Sequence, residues 1–375
     1  MRFPLTNLTP DELTLRREVR DFLAEHLPSG TPSLGMGTVD HDFSRLLAGR
    51  GWVGMSIPTE YGGSGRTAVD RFVVAEELLA AGAPVSAHWT ADRQTAPTLV
   101  KFGSEELCRE FLPAICKAEC SFAIGMSEPG AGSDLAAVRT KAIRVDGGWK
   151  VTGTKVWTSG AHWADYSIVL CRTGPAETSR HDGLSQLVVD LRAEGVTVNP
   201  IITLDGRHHF NEVVLDEVFV PDHYVVGTIG GGWAQVSNEL AYERSGPDRW
   251  MTPFVLLREF VSRLNADAST ELAAAVGELT ANYRTLRNLS LSIARMIDRG
   301  EAPAAEAALV KDLATTFEQH VIDRIRELSD TELDPGSFDV FEELLARAIQ
   351  RSPILTIRGG TSEILRSVAA KELMR

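Results

Sequence analysis

The order of hydrophobic periods along the chain constrains its fold more than any other feature. Residues up to about 120 read as helices, residues from about 121 to 221 as short β-prone runs, and residues from about 232 onward as helices again. The first stretch opens on Thr9-Pro10-Asp11-Glu12: a Thr cap, Pro at the first helical position and Glu three residues after the cap. Leu13, Val19, Phe22 and Leu23 then share one face. Gly62-Gly63-Ser64-Gly65 marks a loop. Residues 68–81 read as a buried helix stopped by Gly82-Ala83-Pro84, and a further helix follows Ser104-Glu105-Glu106.

In the middle stretch the runs 143–145, 149–151, 166–170, 184–189, 196–202 and 213–220 alternate with turn residues, and Asp146-Gly147-Gly148 separates the first two as a hairpin would. Strands without intervening helices predict an antiparallel barrel or sandwich of about 100 residues, closed by Pro221-Asp222. Beyond it, Leu272, Val276, Leu279, Tyr283, Leu286, Leu289, Ile293 and Met296 recur in helical steps over 272–297. Further helices are predicted over 304–329, 338–350 and 361–374. The fold class is α+β: an N-terminal helical domain over 1–120, a β-domain over 121–226 and a C-terminal four-helix bundle over 227–375.

A chain of 375 residues is long enough for such a division. Its net charge of −13 argues against a nucleic-acid partner, whose phosphates demand a basic face. No apolar stretch has the length of a membrane span, and the start Met1-Arg2-Phe3-Pro4-Leu5 lacks a signal-peptide core, so a cytoplasmic location is expected. Cys108, Cys116, Cys120 and Cys171 form no CxxC pair. Cys116 and Cys120 stand four apart on a predicted helix, with no His or further Cys at ligand spacing, so no metal is expected.

Two short cassettes carry the chemistry. The first runs from Phe122 through Ile124 and Met126 to Ser127-Glu128-Pro129-Gly130-Ala131-Gly132-Ser133-Asp134. Packing Pro, two Gly and two Ser into eight residues exposes backbone N–H groups and hydroxyls to a ligand rich in acceptors. The second, Lys155-Val156-Trp157-Thr158-Ser159-Gly160, sets a broad apolar ring beside two hydroxyls. His208 and His209 are adjacent on a predicted strand, point to opposite faces and read as structural or rim residues. Gln94, in the N-terminal helical stretch, is a candidate for the lining of a ligand cavity.

These cassettes resemble the acyl-CoA dehydrogenase family. Asn211–Pro221, the stretch from Gly231-Gly232-Trp233 to Glu243-Arg244, and Gly359-Gly360-Thr361-Ser362-Glu363-Ile364 resemble it too, so the likeness covers nearly the whole chain. The resemblance implies FAD as cofactor. Ile124, Met126, Ser127, Gly132 and Ser133 would line the flavin, with the Met126 backbone and the Ser127 hydroxyl on its pyrimidine edge. Trp157 and Ser159 would pack on the ring and Thr361 would reach the phosphate region; Ser133 and Arg244 would touch the substrate. The implied reaction is α,β-dehydrogenation of an acyl-CoA or acyl-carrier thioester. A carboxylate removes the α-proton while hydride leaves the β-carbon for flavin N5.

In much of the family the base is a Glu just before the C-terminal Gly-Thr, and here that position is Gly359. A second subset carries it on the helix entering the C-terminal domain, which here is Glu243. The chain departs from the family in two further places. No Phe-Gly follows Glu243 up to Asp298, and the usual Gly-Gly-x-Gly is absent, Asp334-Pro335-Gly336 being the nearest turn. Those segments reach a neighbouring subunit's flavin. The expected assemblies are therefore a homotetramer, a homodimer, or an α2β2 heterotetramer in which this chain bears the base, with an electron-transfer flavoprotein as acceptor. A silent subunit of a paired dehydrogenase, and a flavin oxidase or monooxygenase, are the other readings.

Overall fold

Thr9 caps the first helix through a reciprocal box: its hydroxyl accepts from Glu12 N at 3.3 Å, and the Glu12 carboxylate accepts from Thr9 N at 2.8 Å. Thr67 and Asp70 repeat the device at the third helix, which ends on Gly82 at φ +73°. Helices α1 (Pro10–His26), α2 (His41–Gly49), α3 (Ala68–Ala81), α4 (Ser86–Thr90), α5 (Ala96–Phe102) and α6 (Glu105–Cys116) precede the strands. Helices α7 (Gly232–Glu243), α8 (Phe254–Ser262), α9 (Thr270–Asp298), α10 (Ala304–Leu328), α11 (Val340–Arg351) and α12 (Ser362–Leu373) follow them. The computed structural model describes the chain except Thr31, Met36, residues 266–267, 330–332 and 334–338, and Arg375; for residues 239–243 it describes the backbone alone. The turn expected at Asp334-Pro335-Gly336 and the predicted start of a helix at 338 lie outside the described residues.

Among the described residues the strands are β1 (Phe122–Gly125), β2 (Lys141–Val145), β3 (Gly148–Ser159), β4 (Tyr166–Arg172), β5 (Leu184–Asp190), β6 (Val196–Ile202), β7 (His208–Pro221) and β8 (Val225–Val226). They form one sheet in the order β6-β7-β3-β2-β4-β5-β8, with β1 paired to β4. The expected hairpin is present: β2 and β3 pair antiparallel around Asp146-Gly147, with Gly147 at φ +72°. The sheet is not purely antiparallel as expected, because β1 runs parallel to β4 from Phe122↔Tyr166 to Gly125↔Val169 and β2 meets β4 in parallel at Lys141↔Arg172. A parallel neighbour needs a long crossover, which the flavin-like loop and the β2–β3 hairpin supply. Cys116 closes α6 and Cys120 lies beyond it, so the two are not on one helix. All four cysteines are free and buried, and burial raises the pKa of each, Cys116 up to about 11 and Cys120 and Cys171 up to about 12.

The chain divides into two compact units that cut across the sequence order. One comprises Met1–Thr38, Thr67–Val85 and Ala241–Arg375; the other comprises Val39–Arg66 and Ser86–Leu240. In the first, α10 packs against α9, α11 and α12, and α3 packs against α1, α8 and α9. Helix α3 joins the C-terminal helices because its apolar residues run round several faces: Val69, Phe72, Val73, Val74, Leu78 and Leu79 are all buried. Its Glu76 is compensated by Arg16 and Arg287, and Glu77 by Arg16 and Arg20. The second unit holds the sheet. There Phe111 of α6 meets Phe122, Tyr166 and Tyr224 edge-on or tilted.

Candidate active site

The sheet-bearing unit brings the two cassettes together. β1 delivers Ile124 to a half-buried position and runs into the loop 126–134, where Met126 and Ser127 are half-buried and Gly132 and Ser133 are exposed. Glu128 N donates to Ala131 O at 2.8 Å and Ala131 N to Glu128 O at 3.0 Å, which folds Pro129-Gly130 into a tight turn. A side chain built on Gly132 would meet nothing within 4 Å, so the space before the loop is open. Val156 N donates to Ser127 O at 2.9 Å, tying the loop to β3.

Strand β3 changes register against β7 between Lys155 and Thr158, whose partners are Val213 and Asn211. One residue too many is accommodated there as a β-bulge. Trp157 occupies it at φ +61°, a left-handed conformation that costs a residue with a Cβ about 1–2 kcal/mol. The ring is 57% exposed and meets Phe210 edge-to-face at 5.8 Å. The bulge turns Thr158 inward and leaves Ser159 exposed like Trp157. The open loop, its hydroxyls and an exposed indole suit a flat ring with a polar edge, and FAD fits this arrangement.

Asn211, fully buried, anchors the far side of the bulge. Its Nδ2 donates to Thr158 O at 2.9 Å and to His162 Nδ1 at 3.2 Å, and its Oδ1 accepts from His208 Nε2 at 2.7 Å. His162 and His208 stack at 3.8 Å. Burial, then the neighbouring His208, lowers the His162 pKa below its ordinary 6.5. His209 lies apart from this stack, against Phe210. Gln94, half-buried, lies in a π-helical turn, Ala91–Thr95, between α4 and α5.

The other predicted residues belong to the helical unit. Glu243 is the last residue of α7, and its side chain lies outside the described residues. Arg244 is buried, with its Nε 3.5 Å from Gly359 O, and a Cβ on Gly360 would lie 3.3 Å from its Nη2. Gly359 and Gly360 have φ +63° and +101°, conformations that favour glycine. Lys311 Nζ, fully buried, donates to Gly360 O at 2.6 Å. Arg358 donates to Thr252 Oγ1 at 2.9 Å and to Glu318 Oε2 at 3.0 Å, while Glu318 Oε1 accepts from Thr252 N at 2.9 Å. Burial raises the Glu318 pKa and Arg358 offsets only part of that. Thr361 is the N-cap residue of α12, but its hydroxyl holds the Glu363 carboxylate rather than a helix N–H; a backbone hydrogen bond and, after it, this contact keep Glu363 below the usual range. The structure thus gathers 124–133 with 157–159 in one unit, and Arg244 with Gly359-Gly360 in the other.

Three residues escaped the sequence reading: Glu128, Lys155 and Asn211. Glu128 sat unassigned inside the first cassette, and Lys155 was only the start of the second. Lys155 shares strand parity with Trp149 and Val151, a core-facing register in which a lysine needs a buried partner; that was the available signal. Asn211 shares parity with Val213 and Leu215 in the same way.

A helix–sheet–helix chain whose sheet presents an aromatic platform beside a Gly-Ser loop fits the class of flavin-dependent oxidoreductases. Three family models match it in succession: "Acyl-CoA dehydrogenase, N-terminal domain" over residues 9–119, "Acyl-CoA dehydrogenase, middle domain" over 123–218 and "Acyl-CoA dehydrogenase, C-terminal domain" over 230–374. Acyl-CoA dehydrogenase FadE26 of Mycobacterium tuberculosis is 32% identical over 387 residues, covering 96% of each chain. FadE34 of the same organism is 34% identical over 88% of this chain, which spans only 45% of that protein's length. Two solved structures superpose closely. The "Tcur3481-Tcur3483 steroid ACAD" has 28% identity and a TM-score of 0.86 over 100% of this chain and 99% of that one. The ChsE4-ChsE5 complex from Mycobacterium tuberculosis has 30% identity and a TM-score of 0.83, again over 100% and 99%. The chain belongs to the acyl-CoA dehydrogenase family. It is an oxidoreductase of the lipid β-oxidation type, FAD is the family's general cofactor, and acyl-CoA is its typical substrate. Among the described residues no helix is long and apolar enough to cross a membrane, and no His/Cys/Asp/Glu group is placed to hold a metal.

Proposed function

We propose that the chain is the base-bearing catalytic subunit of a cytoplasmic FAD-dependent acyl-CoA dehydrogenase, with Glu243 as the base. Trp157 carries the flavin half of this reading: an exposed indole held at φ +61° on a bulge tied to the Ser127–Ser133 loop. Strain of that kind at an exposed aromatic is retained where the side chain is used. Ile124, Met126, Ser127, Gly132, Ser133, Trp157 and Ser159 would hold the isoalloxazine, and Thr361 the phosphate region. Bound FAD supplies the acceptor for the hydride leaving the β-carbon.

The residues of the chain then have the proton to manage. The α-proton of a thioester is weakly acidic, so its removal needs a carboxylate whose pKa has been brought toward neutrality. Glu243, the last residue of α7, is the carboxylate we assign to that task. The alternative base position is Gly359, and Arg244 packs against that turn; two family positions for the base therefore belong to neighbouring backbone in this chain, and only one carries a carboxylate. Arg244 and Ser133 would meet the thioester's carrier arm.

The Tcur3481-Tcur3483 steroid ACAD and the ChsE4-ChsE5 complex each pair two chains; they support a heteromeric assembly, of which we propose the α2β2 form, and make steroid-derived acyl-CoA the first substrate to test. Electron-transfer flavoprotein is the proposed acceptor. Along the sequence we assign 1–120, 121–226 and 227–375 as the domains. The test is anaerobic flavin bleaching by an acyl-CoA panel, with the chain alone and with a paired subunit. Bleaching by at least one acyl-CoA that disappears in Glu243→Gln, flavin being retained, is expected. Undiminished bleaching in that variant removes Glu243 from the mechanism, and rapid reoxidation of reduced flavin by O₂ favours an oxidase instead.

A further inference from the structure

A buried ion pair joins the two cassettes. The Lys155 side chain has no exposed surface, and its Nζ donates to Glu128 Oε1 at 2.8 Å and to Met126 O at 3.1 Å. Glu128 in turn accepts from Arg139 N at 2.6 Å and Thr140 N at 2.8 Å. One carboxylate therefore fixes the loop at its own turn, at the start of β2 and, through Lys155, on β3. Burial alone would raise the Glu128 pKa; Lys155 and the backbone donors reverse the sign and hold it below the usual carboxylate range. Burial lowers Lys155 despite its partner.

Coulomb attraction does not explain why a cation sits here. Desolvating two charges costs several kcal/mol, and a well-packed apolar pair at such a site is often equally stable. What the pair supplies is geometry. It sets the Met126 carbonyl against β3 two residues before Trp157, and the Val156–Ser127 hydrogen bond runs alongside. A left-handed Trp persists only where its surroundings over-determine it. Lys155 holds one side of the bulge, and the Asn211–Thr158 hydrogen bond holds the other.

We propose that Lys155 and Glu128 are positioning residues for the flavin, presetting the separation of the Ser127–Ser133 loop from the Trp157 ring before the cofactor arrives. The inference rests on the reading of that loop and of Trp157 as flavin contacts. Its readout is FAD binding to the flavin-stripped full-length chain, with its partner subunit if one is required, followed by fluorescence titration and by the visible bands of bound FAD.

Lys155→Met alone leaves a buried carboxylate, so the main test is Glu128→Gln with Lys155→Met, which removes both charges and keeps the volume. FAD affinity is expected to fall about tenfold, with shifted flavin bands and faster deuterium exchange at Val156 N–H. In a Trp157→Ala background the same pair of changes should cost less than about twofold, because the ring they position is gone. An affinity within about twofold of the parent, with Val156 equally protected, overturns the proposal. So does an equal loss in both backgrounds, which marks a structural role only. If the double variant does not fold, Glu128→Asp keeps both charges and shortens the reach; unchanged FAD affinity there overturns the proposal as well. Unchanged affinity in Trp157→Ala by itself refutes the underlying flavin reading, a separate failure.

Discussion

Trp157 and Gly360 both have positive φ, +61° and +101°, yet the chain spends opposite residues on them. At position 157 glycine would be cheaper and a tryptophan is kept; the side chain projects to solvent and the strain is held by hydrogen bonds on both flanks. At 360 the positive φ disfavours any residue with a side chain: a Cβ would lie 3.3 Å from Arg244 Nη2, and Lys311 pins the carbonyl. Both regions bury cations. In the sheet, Lys155 answers a carboxylate; at the glycine turn, Lys311 and Arg244 face backbone carbonyls. The first arrangement displays a ring, and the second keeps a turn free of side chains.

The largest expected effect separates chemistry from scaffold. Glu243→Gln should lower the single-turnover rate of flavin bleaching by about 10²–10⁴, with flavin content unchanged, since an amide takes no proton. Breaking the ion pair from one side comes next: Lys155→Met should cost about 3–5 kcal/mol in urea unfolding, because a desolvated Glu128 is left behind. If the loss is below about 1 kcal/mol, the pair is better solvated than its burial indicates.

The two left-handed sites should then respond in opposite directions. Gly360→Ala is expected to destabilise the chain by about 1–3 kcal/mol through strain and the push on Arg244. Trp157→Gly should relieve strain, keeping or raising the melting temperature by the equivalent of about 1 kcal/mol while FAD binding weakens. A Trp157→Gly variant that both melts earlier and binds FAD normally would erase the contrast. The smallest effect is pH-dependent. His162 has a depressed pKa when folded, so its contribution is present above its ordinary 6.5 and is lost as pH falls through the lower folded value. Flavin-free protein should loosen around Thr158 on that acid side, seen as faster amide exchange that His162→Gln removes.

Much of the fold was legible because its signals are local. The Thr9–Glu12 box, the Gly82 stop and the helical stripe of α9 each involve residues within a few positions of one another. The two cassettes were legible as motifs for the same reason. The strand β1 was not, because four residues, Phe-Ala-Ile-Gly, have no readable period and pair in parallel with a strand more than forty positions away. Glu128 was missed because it lies in a loop with no strand parity to mark its burial, and only its partners Arg139, Thr140 and Lys155 reveal it.

By itself the sequence determined the helix–strand–helix order, the capped start of α1 and the Gly82 stop of α3, the Ser127–Ser133 loop, the Trp157 segment and the absence of a carboxylate at 359. These depend on backbone propensity, capping and residue identity, which act over one or two turns. Tertiary structure decided the rest: that α3 packs with the C-terminal helices, that Trp157 is lifted onto a bulge, that Lys155 meets Glu128, and that Arg244 packs against Gly359-Gly360. Each of those joins residues far apart in the chain, and burying a charge or straining a backbone is stable only once the partners from both segments are in place.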